Sequence, residues 1–466
     1  MADLGSNTWR VLAVTALVVA LSPVTPAQRT ENCNTEVSPA FPNKVDVSCN
    51  CMQRLINFTQ TIAELTINQT SCSNKGLELK WSDLETHVAP ETLILVEAEV
   101  FISQKQAPTD NWNSSISKLL FIDSNFETLP AHAFRGMKLL KEVKFFGGSI
   151  GKIRSNAFNE LNQLKLVEIA NSSIEIIESN AFSNLTSLKD LAIVHTSVGI
   201  IESKAISLLR QNNDEQLCAD VRTSVPDNNK VINDIVGRQL TSTDNLSLPK
   251  FGSRLLLFKN NIQTLKTQAI TSQTLGFLIV GGNHIENIES RAFSMELYNE
   301  CEISAALFIS NTISNLGRFS LTALTARDDV PYQTFIALAN NTFLKVEEHG
   351  FLLNKNVTVF SVEENYFQCS CDELSWIQYH ADSQNEQELE KRLVINAKCL
   401  DGTNLIAFAS SCTDYGEPSV QNTSPEPSLN PPVGQTPVVS GVSVQTMSLA
   451  SGFVSVLTFM FSRILV

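Results

Sequence analysis

Apolar residues recur along this chain at a fixed long interval. The doublets Phe126-x-x-Leu129, Ile150-x-x-Ile153, Ile174-x-x-Ile177 and Val198-x-x-Ile201 follow one another every 24 residues. Ahead of each stands an alternating pair: Leu119 and Phe121, Val143 and Phe145, Val167 and Ile169, Leu191 and Ile193. Behind each, a bulky apolar residue follows alanine, as Ala133-Phe134, Ala157-Phe158, Ala181-Phe182 and Ala205-Ile206. Period-two alternation predicts a short strand whose inward residues enter a core, while the rest of each coil returns along the outside. One coil cannot bury its own apolar face, so a repeat of this length predicts stacked neighbours. The pattern returns with looser spacing at Leu255, Leu257, Ile262 and Leu265, then at Leu278, Val280, Ile285 and Ile288. It continues through Phe308, Ile313 and Leu316, through Ile336, Leu338, Phe343 and Val346, and through Phe360, Val362 and Phe367. The expected architecture is an α/β solenoid over residues 91–368, with a parallel concave β-sheet and the Ala-Phe doublets as an apolar spine beneath the convex side.

These residues resemble the extracellular leucine-rich repeat, L-x-x-L-x-L-x-x-N-x-L-x-x-L, over roughly residues 30 to 412. The resemblance implies a horseshoe, disulfide-capped at both ends, that recognises partners rather than catalysing reactions. The consensus asparagine is kept at Asn260, Asn283, Asn311, Asn341 and Asn365. The first four coils carry Ser124, Gly148, Ser172 and Thr196 instead, where weaker turns with room for water are expected. Between Leu209 and Lys250 the register is lost, and the doublets at Val198 and Ile262 stand 64 residues apart. The polar segment 210–250 reads either as degenerate coils or as a loop bulging from one rim.

Composition places the repeat outside the cytosol. Arg10, an apolar run from Val11 to Leu21, and small residues at Thr25 and Ala27 read as a secretory signal over 1–27. Ten cysteines follow, with Cys33, Cys49, Cys51 and Cys72 in one cluster and Cys369, Cys371, Cys399 and Cys412 in another. Behind a secretory signal these read as two disulfide-stapled modules, 28–90 and 369–412, rather than zinc sites, since Cys-x-Cys lacks the usual ligand gap. The family resemblance implies the pairs Cys33–Cys51, Cys49–Cys72, Cys369–Cys399 and Cys371–Cys412, with a short helix laying Leu374 and Trp376 over the last coil. Cys218 and Cys301 lie outside both clusters and are expected to bridge the irregular segment to the rim. Sequons at Asn57, Asn68, Asn113, Asn171, Asn184, Asn245, Asn340, Asn356 and Asn422 predict a glycoprotein. Beyond Cys412 a Pro, Ser and Thr-rich stalk, 413–440, leads to small residues at Ser440-Gly441 and a terminal apolar run from Phe453 to Val466. That run is 14 residues, short of the roughly 20 a spanning helix needs. Residues 441–466 therefore read as a glycosylphosphatidylinositol attachment signal, with a short spanning anchor or a plain secreted tail as alternatives.

The candidate chemistry is thin. With 18% charged residues, a net charge of −14 and no basic stripe, the chain is a poor nucleic-acid binder. Gly147-Gly148-Ser149-Ile150-Gly151 fits G-x-S-x-G but sits inside a repeat, without a strand–elbow–helix or assignable partners. The histidines are scattered, and no phosphate or dinucleotide loop appears, so neither metal nor cofactor is expected. The strand register instead points outward Phe146, Leu256, Phe258, Phe277, Ile279, Leu307, Ile309 and Phe335, joined by Leu120, Ile122 and Val194. A contiguous apolar stripe on a concave face suggests partner binding, with Phe258 and Phe277 as anchors, although strand propensity alone also favours such residues. The resemblance extends to arthropod cell-surface adhesion molecules of this repeat class and to the non-catalytic repeat subunit of shrimp luciferase. It implies an adhesion or receptor ectodomain on the outer face of the plasma membrane, lipid-anchored, recognising an extracellular protein or glycan, a second copy or a co-receptor. The other roles it allows are a secreted subunit that stabilises an enzyme partner, and innate immune pattern recognition.

Overall fold

The computed structural model describes residues 33–37, 44–49, 64–68, 77–79, 90–102, 115–208, 253–298, 304–326, 334–353, 358–374, 393 and 395–412. Signal residues 1–27, Cys51, Cys72, Cys218, Cys301, Trp376, the stalk and Ser440-Gly441 lie outside them, as do the sequons at Asn57, Asn113, Asn245, Asn356 and Asn422. For Cys33, Cys49, Asn68 and Phe360 only the backbone is described.

Each coil contributes one strand to a long parallel sheet. Thr92–Val96, Lys118–Ile122, Glu142–Phe146, Leu166–Ala170 and Asp190–Val194 pair in succession without a register shift. Ser253–Phe258, the end of Ile270–Gly281, Ser304–Ile309, Thr334–Ala339 and Thr358–Glu363 continue the series. At the N-terminal end Lys44–Cys49 and Glu64–Asn68 join the same sheet in parallel, and Cys33–Val37 closes it as an antiparallel edge. A second parallel sheet of 10 strands holds the apolar doublets, beginning with Asn125–Leu129, Ser149–Ile153 and Ser173–Ile177.

The core follows from this alternation. Leu119, Phe121, Val143, Phe145, Val167, Ile169, Leu191 and Ile193 point inward and are at most 2% exposed. The Ala-Phe doublets pack behind them as an aromatic spine, Phe134 on Phe158 at 5.0 Å between centroids and Phe158 on Phe182 at 4.7 Å. Alanine precedes each ring because the backbone there runs against its neighbour, with Phe158 and Phe182 donating to the carbonyls of Ala181 and Ala205.

Where each face strand ends, the chain turns through one residue with positive φ. Asp123, Gly147, Asn171, His195, Lys259, Gly282, Ser310, Asn340 and Glu364 share this conformation. The next residue is the repeat's asparagine. Asn283 Oδ1 accepts from the Asn260 backbone N–H at 2.9 Å, while its Nδ2 donates to the Leu257 carbonyl at 2.8 Å. The same pattern recurs at Asn260, Asn311, Asn341 and Asn365. The N-terminal turns are not the loose, wet ones expected from their missing asparagine. The Ser124, Ser172 and Thr196 hydroxyls are buried and donate to backbone carbonyls two residues back at 2.9–3.0 Å. At Gly148 a Cβ would stand 2.1 Å from the Ser124 carbonyl oxygen, so that turn closes by backbone contact.

The coils on either side of the irregular segment are direct neighbours. Asp190–Val194 pairs with Arg254–Phe258, Ser197–Ile201 with Asn261–Leu265, and Ile206–Leu208 with Ile270–Ser272. No coil intervenes between them. The described ladder stops at Leu208 and resumes at Ser253; the segment 210–250 lies outside the described residues.

At the far end Tyr366–Phe367 pairs with Lys398–Cys399, and Cys369 is disulfide-bonded to Cys399. Cys371 and Cys412 are disulfide-bonded too. Leu374, Leu393, Ala397, Leu405 and Ala409 join the core cluster that holds Phe343, Phe351 and Phe367. The helix Leu405–Ser411 starts on Asn404, whose Oδ1 accepts from the N–H groups of Ile406 and Ala407 at 3.0 and 3.2 Å. Among the described residues no helix is long and apolar enough to cross a membrane.

Candidate binding face

The outward side of the long sheet presents three columns, from the first, third and fifth residues of each strand. Between Asn68 and Glu363 the fifth-position column is apolar: Val96, Ile122, Phe146, Ala170, Val194, Phe258, Gly281, Ile309 and Ala339. The other two columns carry charge in the N-terminal half, and that charge pairs between adjacent coils. Lys118 meets Glu142 at 3.4 Å, Lys144 meets Glu168 at 3.0 Å, and Arg254 pairs with Asp190. Each of the first two pairs is partly solvated and worth about 0–1 kcal/mol, so their main effect is to leave this half of the face without net charge. From Leu256 onward the columns turn apolar, through Phe277, Ile279, Ala305, Leu307, Phe335 and Ala337.

Facing outward does not make all of these residues accessible. Phe146 is 38% exposed, and Leu120, Ile122, Leu256, Phe258 and Phe335 are half-buried. Phe277, Ile279, Leu307 and Ile309, expected on an open stripe, keep only 2–7% of their surface. They lie apart from the core cluster, which takes Leu278, Val280, Ala306 and Phe308 from the same strands. Strand parity assigns the side of a sheet, and burial depends on what else the chain lays there. Phe277 is therefore not an open anchor, and the accessible apolar positions are Leu120, Ile122, Phe146, Leu256, Phe258 and Phe335.

Phe258 sits in a cluster that the repeat pattern does not announce. Its ring occupies space freed by a glycine on the next coil, since a Cβ on Gly281 would stand 3.1 Å from Phe258 Cδ2. Lys259 places its Nζ 5.3 Å from the ring centroid, and the His195 ring meets it edge-on at 6.3 Å. Burial, and then the charge of Lys259, holds the His195 imidazole below its usual pKa. The sequence signal was available in Gly281-Gly282, which interrupts a column of large residues.

The remaining candidates resolve into scaffold. Ser149 bonds Asn125 Oδ1 through both its N–H and its hydroxyl, at 2.9 and 2.8 Å. Of the glycines around it, Gly147 faces the Asp123 side chain, while Gly148 and Gly151 face backbone, with a Cβ on Gly151 falling 2.5 Å from the Glu127 carbonyl oxygen. Close packing of coils thus accounts for the G-x-S-x-G match. Among the described residues no three His, Cys, Asp or Glu side chains gather as metal ligands would. Of the described sequons, Asn171 and Asn184 are exposed, while Asn340 is half-buried and donates its Nδ2 to Ser310 Oγ at 3.1 Å.

The N-terminal coils have a counterpart among known families. The model described as BspA type leucine rich repeat region (6 copies) matches residues 111–214, where the 24-residue spacing is strict. The fold is a leucine-rich-repeat solenoid. Among curated proteins none matches the chain. Among solved structures, a chain of the Toll–Spatzle complex, described as a molecular hub in Drosophila development and innate immunity, is 10% identical. The alignment covers 80% of this chain and 71% of that one at a TM-score of 0.21, too loose a likeness to argue from.

Proposed function

We propose that this solenoid is an extracellular recognition scaffold whose outward sheet face binds a partner protein through apolar contact. The observation that carries the reading is the unbroken apolar fifth-position column, exposed at Phe146 and flanked by charges already neutralised within the sheet. A rigid sheet that offers side chains without reorganising loses little entropy on binding, which favours large, flat protein surfaces. Disulfide-bonded cysteines at the C-terminal end fit an oxidising compartment. The terminal Ser440-Gly441 and apolar tail fit a lipid anchor at the outer face of the plasma membrane, in an adhesion or receptor role. A secreted subunit that stabilises an enzyme partner would use the same face without the anchor.

Two measurements test this. Phosphatidylinositol-specific phospholipase C releases the surface protein if the anchor reading holds; retention of a chain still carrying Val466 overturns it. Soluble ectodomain bearing Phe146→Ala with Ile122→Ala is expected to be secreted normally and to lose binding to partner-bearing cells. At about 2 kcal/mol for a central aromatic, the loss is about thirtyfold, and unchanged binding moves recognition off this face. Since the charges on the N-terminal half pair among themselves, binding there is also expected to change little between 0.05 and 0.5 M salt, roughly the range over which surface charges become screened.

A further inference from the structure

Along the edge where the face strands end, one stretch differs in charge from the positions on either side of it. The positive-φ residues from Gly147 through Asn171, His195, Lys259, Gly282 and Ser310 to Asn340 include no carboxylate, although Asp123 and Glu364 stand at the same position on either side. The chain as a whole carries a net charge of −14. Within this stretch three neighbouring coils each bring an exposed basic or titratable side chain: His195, Lys259 and, two residues past Gly282, His284. The backbone here is already committed. His195, Lys259 and Gly282 donate their N–H groups to the carbonyls of Phe258, Gly281 and Ile309 at 2.8–2.9 Å. Any ligand must therefore be held by the side chains.

Those side chains surround an aromatic platform. The Phe258 ring lies over Gly281, and the Lys259 stem runs along Gly282, where a Cβ would stand 3.1 Å from Lys259 Cγ. The two glycines keep the neighbouring coil low beside the ring. A flat apolar ring with the mobile Lys259 ammonium over it and an imidazole at its edge suits a ligand with one apolar face and one anionic group. We propose that the rim formed by His195, Phe258, Lys259 and His284 is a subsite for an acidic sugar, a pyranose bearing carboxylate or sulfate. Phe258 stacks on the ring of the sugar, Lys259 takes the anionic group as a charge-assisted donor, and His195 and His284 flank it. Around His195 the neighbouring edge residues are Asn171 on one side and Lys259 on the other. The next carboxylates along these coils, Glu175 and Glu286, come two residues past the edge positions Ser173 and His284. Burial and Lys259 now hold His195 towards its neutral form, so an anion bound beside it would reverse part of that effect.

The subsite shares Phe258 with the outward sheet face, but its test uses a different probe. Purified full chain would be titrated with a uronate disaccharide carrying one sulfate, and with its desulfated, carboxyl-reduced counterpart. The acidic disaccharide is expected to bind at least about tenfold more tightly, with Lys259→Gln removing about tenfold and Lys259→Arg retaining most of it. Phe258→Ala is expected to weaken both sugars, and the His195 ring signals should report a raised pKa in the bound state. Equal affinity for the two disaccharides overturns the proposal, as does wild-type affinity in Lys259→Gln or an unmoved His195. A hexa-aspartate peptide that binds as tightly as the acidic disaccharide overturns the sugar assignment. Because the probe is a saccharide, failure here leaves the protein-binding reading standing, and failure of the Phe146 test leaves this one.

Discussion

Asn311 closes the turn of the coil before its own. Its Oδ1 accepts from the N–H of Asn283 at 3.0 Å, its Nδ2 donates to the Val280 carbonyl at 2.8 Å, and it is 1% exposed. Asn311→Ala would leave a buried donor and a buried acceptor of that turn without this partner, at about 1–3 kcal/mol each. Urea denaturation is expected to show a loss of about 3 kcal/mol, against about 1 kcal/mol for Ser172→Ala, whose hydroxyl donates to the Gly147 carbonyl and to the Ala170 carbonyl, which the Gly147 N–H also reaches. A larger loss at Ser172 would mean that the N-terminal hydroxyls, and not the asparagines, carry the turns. Glycines divide in the same way. Gly148→Ala drives a Cβ into backbone at φ +74°, whereas Gly282→Ala meets only the movable Lys259 stem at φ +63°. The first should cost markedly more stability than the second. The sequence showed the asparagines plainly, because one residue type recurs at one place. It hid the second left-handed corner of each coil, occupied by His132, Asn156, Asn180, Lys204, Gln268, Arg291, Phe319 and His349. Backbone bonds between successive coils hold that corner, so side-chain identity there is nearly free.

At the scale of the element, the doublets and Ala-Phe pairs were legible because each marks a contact that every coil must repeat. The side of the sheet that Phe277 and Leu307 occupy was legible from parity, while their burial was not, since alternation along a strand reports only its own two faces. The irregular segment left two readings open in the sequence, and the direct pairing of the strands that flank it favours a loop between adjacent coils. An insertion outside the repeat ladder is dispensable to it. Replacing residues 212–249 by a short Gly-Ser link should preserve secretion and the β-type circular dichroism. Shortening the connection about sixfold lowers loop-closure cost by about 1–2 kcal/mol, so the melting temperature should hold or rise. A chain that no longer leaves the secretory pathway would show that the segment is part of the fold.

For the whole molecule, stability sits in contacts between neighbours, so an end is the place where a solenoid comes apart. The C-terminal end is closed by the pairing of Phe367 with Cys399, by the Cys369–Cys399 disulfide, and by Leu374, Leu393 and Leu405 over the last aromatic rings. The bridge closes a loop whose ends are 30 residues apart in sequence, worth about 3 kcal/mol by constraint of the unfolded chain. Replacing both partners, Cys369→Ser with Cys399→Ser, removes that constraint and leaves the packing in place. Because each coil contacts only those beside it, the loss should appear as local opening before it appears as global unfolding. Hydrogen exchange is expected to accelerate first in Tyr366–Phe367 and Thr358–Glu363, the strands next to the cap, and then in Thr342–Phe343 and Thr334–Ala339. Strands Glu142–Phe146 and Leu166–Ala170, many coils away, should exchange as in the native chain. Uniform acceleration along the solenoid would instead mean that the array unfolds as one cooperative unit, and that its ends do not govern its stability.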